Sequence, residues 1–289
     1  MGTRSARVRV LEAPQVRDHP ATVPDWDSGE GMGMQQRPGG AHTSRTMLLA
    51  DLSSVLASCP PTSTLEDYKR AVIDENVAGK ATYSSRQRTY RYLRELYALD
   101  PAVPEFRALL RLWSRDVQGR RQMALLMAVE RDSALASTTP AILSLVESEV
   151  VTSADLAEAV EREYPGAYSD KIRAKIGRNA LSSWTQSGYL ARVKRSAVLR
   201  RVVDPTPGAV ALALVIGLNE GRTGERLFES SSALVIDCSS VTLHDRAHDA
   251  ARKGWLEYRS RGGMTEIDLS ALTAGLDDSR LPVDEGLES

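Results

Sequence analysis

Two histidines four residues apart are the first side chains in this sequence whose spacing suggests chemistry. His244 and His248 lie in "HDRAH", and on a helix they would share one face, as the zinc ligands of many metalloproteases do. Asp245 stands where those enzymes carry a longer glutamate, and the only further ligand type in view is the distant Cys238. We therefore expect an ordinary amphipathic helix here and no bound metal.

Other catalytic patterns are weak or absent from the sequence. The acids and the lysine of "EDYK" at 66–69 are residue types that nucleases use, but they lie along one predicted helix without a separate partner carboxylate. The glycines of "GEGMG" at 29–33 lack the preceding strand and following helix of a nucleotide-binding loop. A P-loop, a nucleophile elbow and a cysteine–histidine pairing are also missing. The sequence thus predicts no enzyme, no cofactor and no small-molecule substrate.

The strongest chemical signal is the basic segment "KIRAKIGRNALSSWTQSGYLARVKRSAVLRRV" at 171–202. It holds nine lysines and arginines and no carboxylate, although the whole chain has a formal net charge of −1. Its first half predicts an amphipathic helix with one polar and one apolar stripe. An arc of about 60° holds Lys171, Lys175, Arg178 and Ser182. The separate apolar stripe consists of Ile172, Ile176, Ala180 and Trp184.

A cationic helix face of this kind favours binding to a polyanion, because lysine and arginine neutralise phosphates and release condensed counterions. A solvated basic face without a ligand is usually interspersed with acids, and this one is not. We therefore predict that the segment contacts double-stranded DNA, mainly through phosphates. The predicted DNA-binding residues are Lys171, Lys175, Arg178, Asn179 and Ser182 on the helix, Arg192, Lys194 and Arg195 in the chain after it, and Arg88 and Arg91 in an earlier helix.

Neighbouring side chains extend this prediction, with one exception. Arg200 and Arg201 would place more positive charge at the edge of the same unit. The hydroxyls of Ser183 and Thr185 would donate either to phosphate oxygens or to their own helix backbone. Arg173 does not fit, because it projects toward the apolar side of the helix, and the sequence offers no firm reason for its position.

The earlier helix repeats the pattern in a weaker form. Arg88 and Arg91 share a polar face with Ser84 and Glu95, and the opposite face is apolar. Together with the helix before it, this predicts a second helix-turn-helix. The carboxylate of Glu95 and the acidic preceding helix weaken the case that it touches DNA.

Caps and hydrophobic periodicity predict the elements that carry these residues. Helices are expected from Thr64 to about Gly79, from Ser84 or Ser85 to just before Pro101, and in "PEFRALLRLWSRD" and "GRRQMALLMAVERD". A helix capped by Thr152, a turn, a long helix over 170–187 and a hairpin follow in the order of a winged helix-turn-helix. An apolar core helix over 209–218 precedes a last helix and two strands that turn at Gly262 and Gly263. The fold class predicted is mainly α, a helical bundle with winged helix-turn-helix modules and short β-hairpin wings.

The predicted elements divide the chain into five segments. They are a disordered leader over 1–45, an N-terminal helical domain with a helix-turn-helix over 46–150, a central winged helix-turn-helix over 151–205, a C-terminal helical region ending in a β-hairpin over 206–275, and an acidic tail over 276–289.

Composition and the termini bear on where the chain works. Cys59 and Cys238 are far apart and form no CxxC pair, which favours two reduced thiols over a disulfide. The basic start "MGTRSARVRV" lacks the apolar region of a signal peptide, and Ala6 breaks the myristoylation pattern. The apolar run at 209–218 is too short for a membrane span. We expect a cytoplasmic protein without a membrane partner.

Three stretches resemble a known family. They are "ENVAGKATYSSRQRTYRYLRELYALDPAVPEFRALLRLW", "RRQMALLMAVERD" and, most specifically, "KIRAKIGRNALSSWTQSGYL". Over roughly residues 65–270 the chain resembles the BrxA family, accessory proteins of bacterial BREX phage-defence systems. The resemblance implies a mostly helical protein with winged helix-turn-helix modules that binds DNA without catalysis, beside a methyltransferase and other BREX proteins. It does not extend to the leader or the acidic tail.

The sequence therefore predicts a non-enzymatic DNA-binding component of a BREX anti-phage system. Two alternatives remain open at this point. The same basic surface could bind RNA, since BrxA proteins have been compared in shape with an RNA-binding antitermination factor. The basic segment could also grip an acidic protein partner, with the chain acting as a scaffold in the defence complex.

Overall fold

The fold is mainly helical, with two small antiparallel sheets. The computed structural model describes residues 40–194, 197–261 and 264–275. The α-helices are α1 Leu49–Ser58, α2 Leu65–Ile73, α3 Tyr83–Tyr97, α4 Pro104–Arg115, α5 Arg120–Arg131, α6 Ser133–Ala136, α7 Thr139–Leu143, α8 Ser153–Glu163, α9 Asp170–Ser187, α10 Pro207–Asn219, α11 Ser231–Val235, α12 Ser240–Arg252 and α13 Ser270–Thr273. Two 3₁₀ helices, Ala41–Thr43 and Gly224–Glu229, complete the helical elements of the described chain.

Capping chemistry sets the starts of several helices. Thr64 caps α2 and Thr152 caps α8, each in a reciprocal capping box with an aspartate three residues on, as the sequence predicted for both starts. The predicted cap of α3 was wrong, because Thr82 performs that role and Ser85 completes its capping box. The predicted end of α2 near Gly79 was also too late, since the helix stops at Ile73.

Helix α10 lies at the centre of the molecule. Every residue from Gly208 to Ile216 is buried, and the helix packs against α4, α5, α11 and α12. Its all-round apolar surface explains this position, because a helix without a polar face must be covered by protein on every side. The prediction of a buried core helix is confirmed over 209–217, and Leu218 at its end is 38% exposed. None of the described helices has the length and apolar character needed to cross a membrane.

The first sheet accompanies α8 and α9. Strands β1 Val150–Val151, β2 Leu190–Lys194 and β3 Ala197–Arg200 are antiparallel and lie in the order β1-β3-β2. Val151 pairs with Val198, and Leu190 pairs with Arg200. The predicted long helix over 170–187 is confirmed, and Gly188 ends it with a φ of 95° that favours glycine. The predicted hairpin after it is confirmed as well.

The second sheet is the hairpin of β4 Glu257–Arg261 and β5 Met264–Asp268, which follows α12. The predicted helix followed by two strands is therefore confirmed, although the turn at Gly262 and Gly263 lies outside the described residues. Cys59 and Cys238 are both free thiols in the described chain.

The predicted leader is too long at its C-terminal end. Ala41 and His42 are fully buried, so the packed structure includes residues that the sequence assigned to a disordered segment. Residues 1–39, which include the "GEGMG" loop, and the acidic tail over 276–289 lie outside the described residues. One hydrophobic cluster extends from Ala41 to Leu272 and so crosses the predicted boundaries after residues 150 and 205.

Candidate nucleic-acid interface

Helices α8 and α9 cross closely because of one glycine. A Cβ placed on Gly177 would lie 2.1 Å from the carbonyl oxygen of Ser153 and 3.0 Å from the backbone nitrogen of Ala157. A backbone oxygen at this distance cannot move away as a flexible side chain would, so the crossing needs a residue without a side chain. Three members of the predicted apolar stripe, Ile176, Ala180 and Trp184, are fully buried. The prediction was wrong for the fourth, because Ile172 in the first turn of α9 is 42% exposed.

The predicted cationic arc of α9 faces solvent. Lys171, Lys175 and Arg178 are exposed, and none of the three forms an ion pair with another residue of the described ranges. Ser182 is half-buried and its hydroxyl oxygen accepts a hydrogen bond from Gln186 at 3.2 Å. Because α9 is held by Gly177 and by its apolar stripe, these cations stand on a rigid support.

A shallow cleft between α8 and α9 adjoins the arc. Glu158, Glu161 and Asp170 line it together with Arg173 and Arg178. Arg173 pairs with Glu161 at 2.5 Å and with Asp170 at 2.7 Å, and this explains the position that the sequence left without a reason. The hydrogen bonds from Gly166 and Arg173 hold the pKa of the Glu161 carboxyl below its usual value. Arg173 therefore pairs with two of the three acids, and Arg178 has no carboxylate of the described chain within ion-pair distance.

The hairpin after α9 contributes fewer surface cations than predicted. Arg192 and Arg201 are exposed. Arg200 is only 1% exposed; it forms an ion pair with Asp237, donates to the carbonyl of Tyr189 and stacks over the Tyr189 ring. The prediction that Arg200 adds charge to the edge of the hairpin was wrong, because this guanidinium is committed to the interior. Lys194 ends β2, and Arg195 lies outside the described residues.

The hydroxyls and the amide of α9 serve the structure. Ser183 is fully buried and donates to the carbonyl of Asn179, while Thr185 donates to the carbonyl of Leu181. The predicted role of Ser183 at phosphates is therefore excluded by burial, and Thr185 follows the backbone-bonding alternative. The Asn179 side chain is half-buried, and its Nδ2 donates to the carbonyl of His42 at 2.8 Å.

The predicted cations of α3 are also exposed. Arg88, Arg91 and Arg94 all face solvent, and Arg91 lies 4.8 Å from the ring centre of Tyr92 and donates to its hydroxyl. Glu95 is half-buried behind them. Burial raises its pKa, the charge of Asp132 raises it further, and Arg91 partly offsets both. No carboxylate of the described chain pairs with Arg91.

A buried network at the start of the described chain was missed by the sequence analysis. His42 Nδ1 lies 2.8 Å from Asp132 Oδ2, and His42 Nε2 lies 2.8 Å from Ser183 Oγ. All three side chains are 0% exposed. Aspartate, histidine and serine in this order resemble a hydrolase triad, but a substrate cannot reach a fully buried serine. We interpret the network as a brace between residues 40–47, the start of α6 and α9. No sequence pattern predicts this contact, because His42 and Asp132 are ninety positions apart in the chain.

The histidines of α12 are held by aromatic and acidic neighbours. His244 Nδ1 lies 2.8 Å from the hydroxyl of Tyr258, and Nε2 lies 3.1 Å from Glu225. The imidazole of His244 stacks on Phe228, and His248 packs against Tyr258. Among the described residues no group of three or more potential ligands is placed to hold a metal ion.

Comparison of the chain with protein-family models and with curated proteins found no match in either case.

Proposed function

We propose that the protein binds duplex DNA through its backbone phosphates, with α9 as the principal contact and without catalysing a reaction. The observation that carries this proposal is the set of three exposed cations on α9, Lys171, Lys175 and Arg178, which have no carboxylate partner in the described chain. Unpaired like charges on one face repel each other, and a polyanion relieves that repulsion while releasing its condensed counterions.

The electrostatics of α9 give further support. Lys171 lies in the first turn, where the positive end of the helix dipole disfavours a cation. Asp170 in the same turn already supplies the negative charge that the helix dipole favours, and it pairs with Arg173 and not with Lys171. A lysine at this position therefore does not stabilise the folded helix, but it does contribute to binding an anion.

The order of elements around α9 fits a winged helix-turn-helix. In this proposal α7, β1, α8, α9 and the β2–β3 hairpin form one such module, with α9 as the helix that enters the major groove and the hairpin as the wing beside the phosphate backbone. The exposed Arg192 and Arg201 would then reach the flanking backbone.

The second helix and hairpin, α12 with β4 and β5, differ from the first in charge. Arg246 pairs with Asp204 and Asp249, Arg252 pairs with Asp249, and Arg259 pairs with Glu257. Positive groups already neutralised by neighbouring acids offer little to a phosphate. The proposal therefore assigns DNA contact to the first module and not to this one.

The biological role that we propose follows from the resemblance to the BrxA family. A non-enzymatic DNA-binding subunit would hold duplex DNA for the other components of a BREX anti-phage system, which become its expected protein partners. The genes beside the one that encodes this chain test that role, because a BREX cluster is expected there.

The DNA-binding proposal is tested by a triple charge reversal, Lys171→Glu, Lys175→Glu and Arg178→Glu, measured by fluorescence anisotropy on a labelled 20-base-pair duplex across a salt series. Each lost phosphate contact should lower the slope of log K against log salt by about 0.9. We expect weaker binding and a flatter slope.

The matched control reverses three exposed arginines that already have carboxylate partners, Arg70→Glu, Arg252→Glu and Arg259→Glu. It changes the net charge by the same amount and should bind more tightly than the α9 variant. Equal affinities for the two variants would refute the proposal. Competition with a structured RNA at fixed salt separates the ligands, and displacement by RNA at lower concentration than by DNA would also refute it.

A further inference from the structure

We infer that Arg45 and Arg91 form a second phosphate-binding site for the same duplex, on a surface continuous with α9. The inference deepens the proposed function and rests on it. Arg45 had been assigned by sequence to the leader, and the structure places it beside α3.

Tyr92 brings the two arginines together. The guanidinium carbon of Arg45 lies 5.8 Å from the ring centre of Tyr92, and that of Arg91 lies 4.8 Å from it. Arg91 Nη2 donates to the Tyr92 hydroxyl at 3.0 Å. Polar neighbours, Ser44 first and then Arg91, lower the pKa of Tyr92, and burial partly offsets them. The ring is 8% exposed and thus serves as a fixed support for two surface cations.

Both guanidiniums retain free donors toward solvent. Arg45 and Arg91 are exposed, and neither pairs with a carboxylate of the described chain. Arg45 donates to the carbonyl of Ser44 at 3.4 Å, a long hydrogen bond. A guanidinium has five N–H donors in a planar fork that suits phosphate oxygens. Two guanidiniums held against one ring concentrate positive charge at this surface, and backbone phosphates of a duplex would offset it.

The segment that carries Arg45 joins this pair to α9. His42 accepts from Asn179 at 2.8 Å, the Met47 backbone nitrogen donates to Ser183 at 2.9 Å, and that of Leu49 donates to Gln186 at 3.4 Å. The three contacts on α9 fall on successive turns, so residues 42–49 run along the flank of that helix.

The opposite side of the same segment contacts α3. The Tyr97 hydroxyl donates to the carbonyl of Met47, and Tyr92 lies against Ser44 and Arg45. Residues 42–49 therefore lie between α3 and α9. On the wheel of α9, Asn179 and Gln186 border the arc of Lys175 and Ser182. The Arg45 pair and the α9 cations thus adjoin the same strip of surface, and one duplex can contact both.

Glu95 lies one turn beyond Arg91 on α3 and is the acid of that helix that faces the site. Its half-buried carboxyl forms no ion pair with Arg91, and burial raises its pKa. The Glu95 carboxyl lowers the positive potential around Arg91 but does not form an ion pair with its guanidinium. The N–H donors of Arg91 therefore remain available to a phosphate.

The test uses the full chain with Arg45→Glu and Arg91→Glu, the same labelled 20-base-pair duplex and the same salt series. Two lost phosphate contacts should flatten the salt slope by about 2 and weaken binding on the order of tenfold per contact near 0.1 M salt. Arg45→Lys with Arg91→Lys keeps the charges but loses the forks, and we expect intermediate affinity. The matched control is Arg70→Glu with Arg252→Glu, and circular dichroism with thermal melting checks that each variant is folded.

Comparison with the α9 triple variant keeps the two ideas distinguishable. If the α9 triple variant and the Arg45 and Arg91 double variant both bind the duplex more weakly, the shared surface is supported. If only the triple variant binds the duplex more weakly, this inference is overturned and the proposed function stands. If only the double variant binds the duplex more weakly, both the shared surface and the α9 contact of the proposed function are overturned. If neither variant binds more weakly, the proposed function is overturned and this inference with it.

Discussion

Removing the imidazole of His42 should destabilise the whole protein, although the residue lies at the very start of the described chain. The imidazole is fully buried and contacts both Asp132 and Ser183, which come from two distant parts of the fold. The variant His42→Ala deletes both contacts at once. It leaves the carboxylate of Asp132 in the interior with only its bonds to the backbone nitrogens of His42 and Leu135.

The size of the effect can be worked out from these contacts. Each buried polar partner that loses a hydrogen bond costs about 1–3 kcal/mol, with a charged partner at the upper end. A buried pair broken by the loss of one member costs about 3–5 kcal/mol in measured cases. We therefore expect His42→Ala to lower the free energy of unfolding by about 3–5 kcal/mol.

Urea denaturation followed by circular dichroism measures this loss, provided that the m-value stays constant. His248→Ala is the matched control, because His248 is exposed and its ring packs against Tyr258, and we expect a loss of at most about 1.5 kcal/mol. The double variant His42→Ala with Asp132→Ala should lose less than the sum of the single variants. A loss below about 1 kcal/mol for His42→Ala, or strict additivity, would show that the network is not a brace.

Three further outcomes follow from other buried groups. Arg200→Ala should cost about 3–5 kcal/mol in urea denaturation, because it removes the ion pair of a buried guanidinium with Asp237 and its hydrogen bond to the Tyr189 carbonyl. The exposed neighbour Arg201→Ala should change stability by less than about 0.5 kcal/mol. Gly177→Ala should lower the melting temperature through a clash with a backbone oxygen, at a cost of about 1–3 kcal/mol, while Gly275→Ala meets open space and should not. Burial alone would raise the pKa of Asp132, but His42 and the hydrogen bonds hold it below its usual value. The stability that this carboxylate contributes is thus complete above about pH 4 and is lost as the pH falls through the lower folded pKa, so Asp132→Asn should flatten the acid limb of a stability profile.

Local chemistry made much of the fold predictable. The long helix over 170–187, its glycine stop, the threonine cap at 152 and the apolar helix near 209–218 all follow from caps and periodicity within a few neighbouring residues. The cap of α3 was assigned to Ser84 or Ser85 because three hydroxyl residues lie together there, and only the backbone geometry selects Thr82. The exposed arc of Lys171, Lys175 and Arg178 was likewise predictable, since 3.6-residue spacing places side chains on a helix face.

The sequence by itself determined which side chains share a helix face, because that depends on the period of one helix. It did not determine which cations reach solvent, because pairing joins residues that are far apart in the chain. By sequence, Arg200 looks like a surface charge and Arg173 projects toward the apolar side of α9 without a reason. Only the tertiary structure pairs Arg173 with Glu161 and buries Arg200 against Asp237. In the same way, packing between α3 and α9 decided that Ala41, His42 and Met47 belong to the core and that Arg45 and Arg91 both lie against Tyr92. Contacts across such separations depend on how the helices close on one another, and no local pattern encodes that.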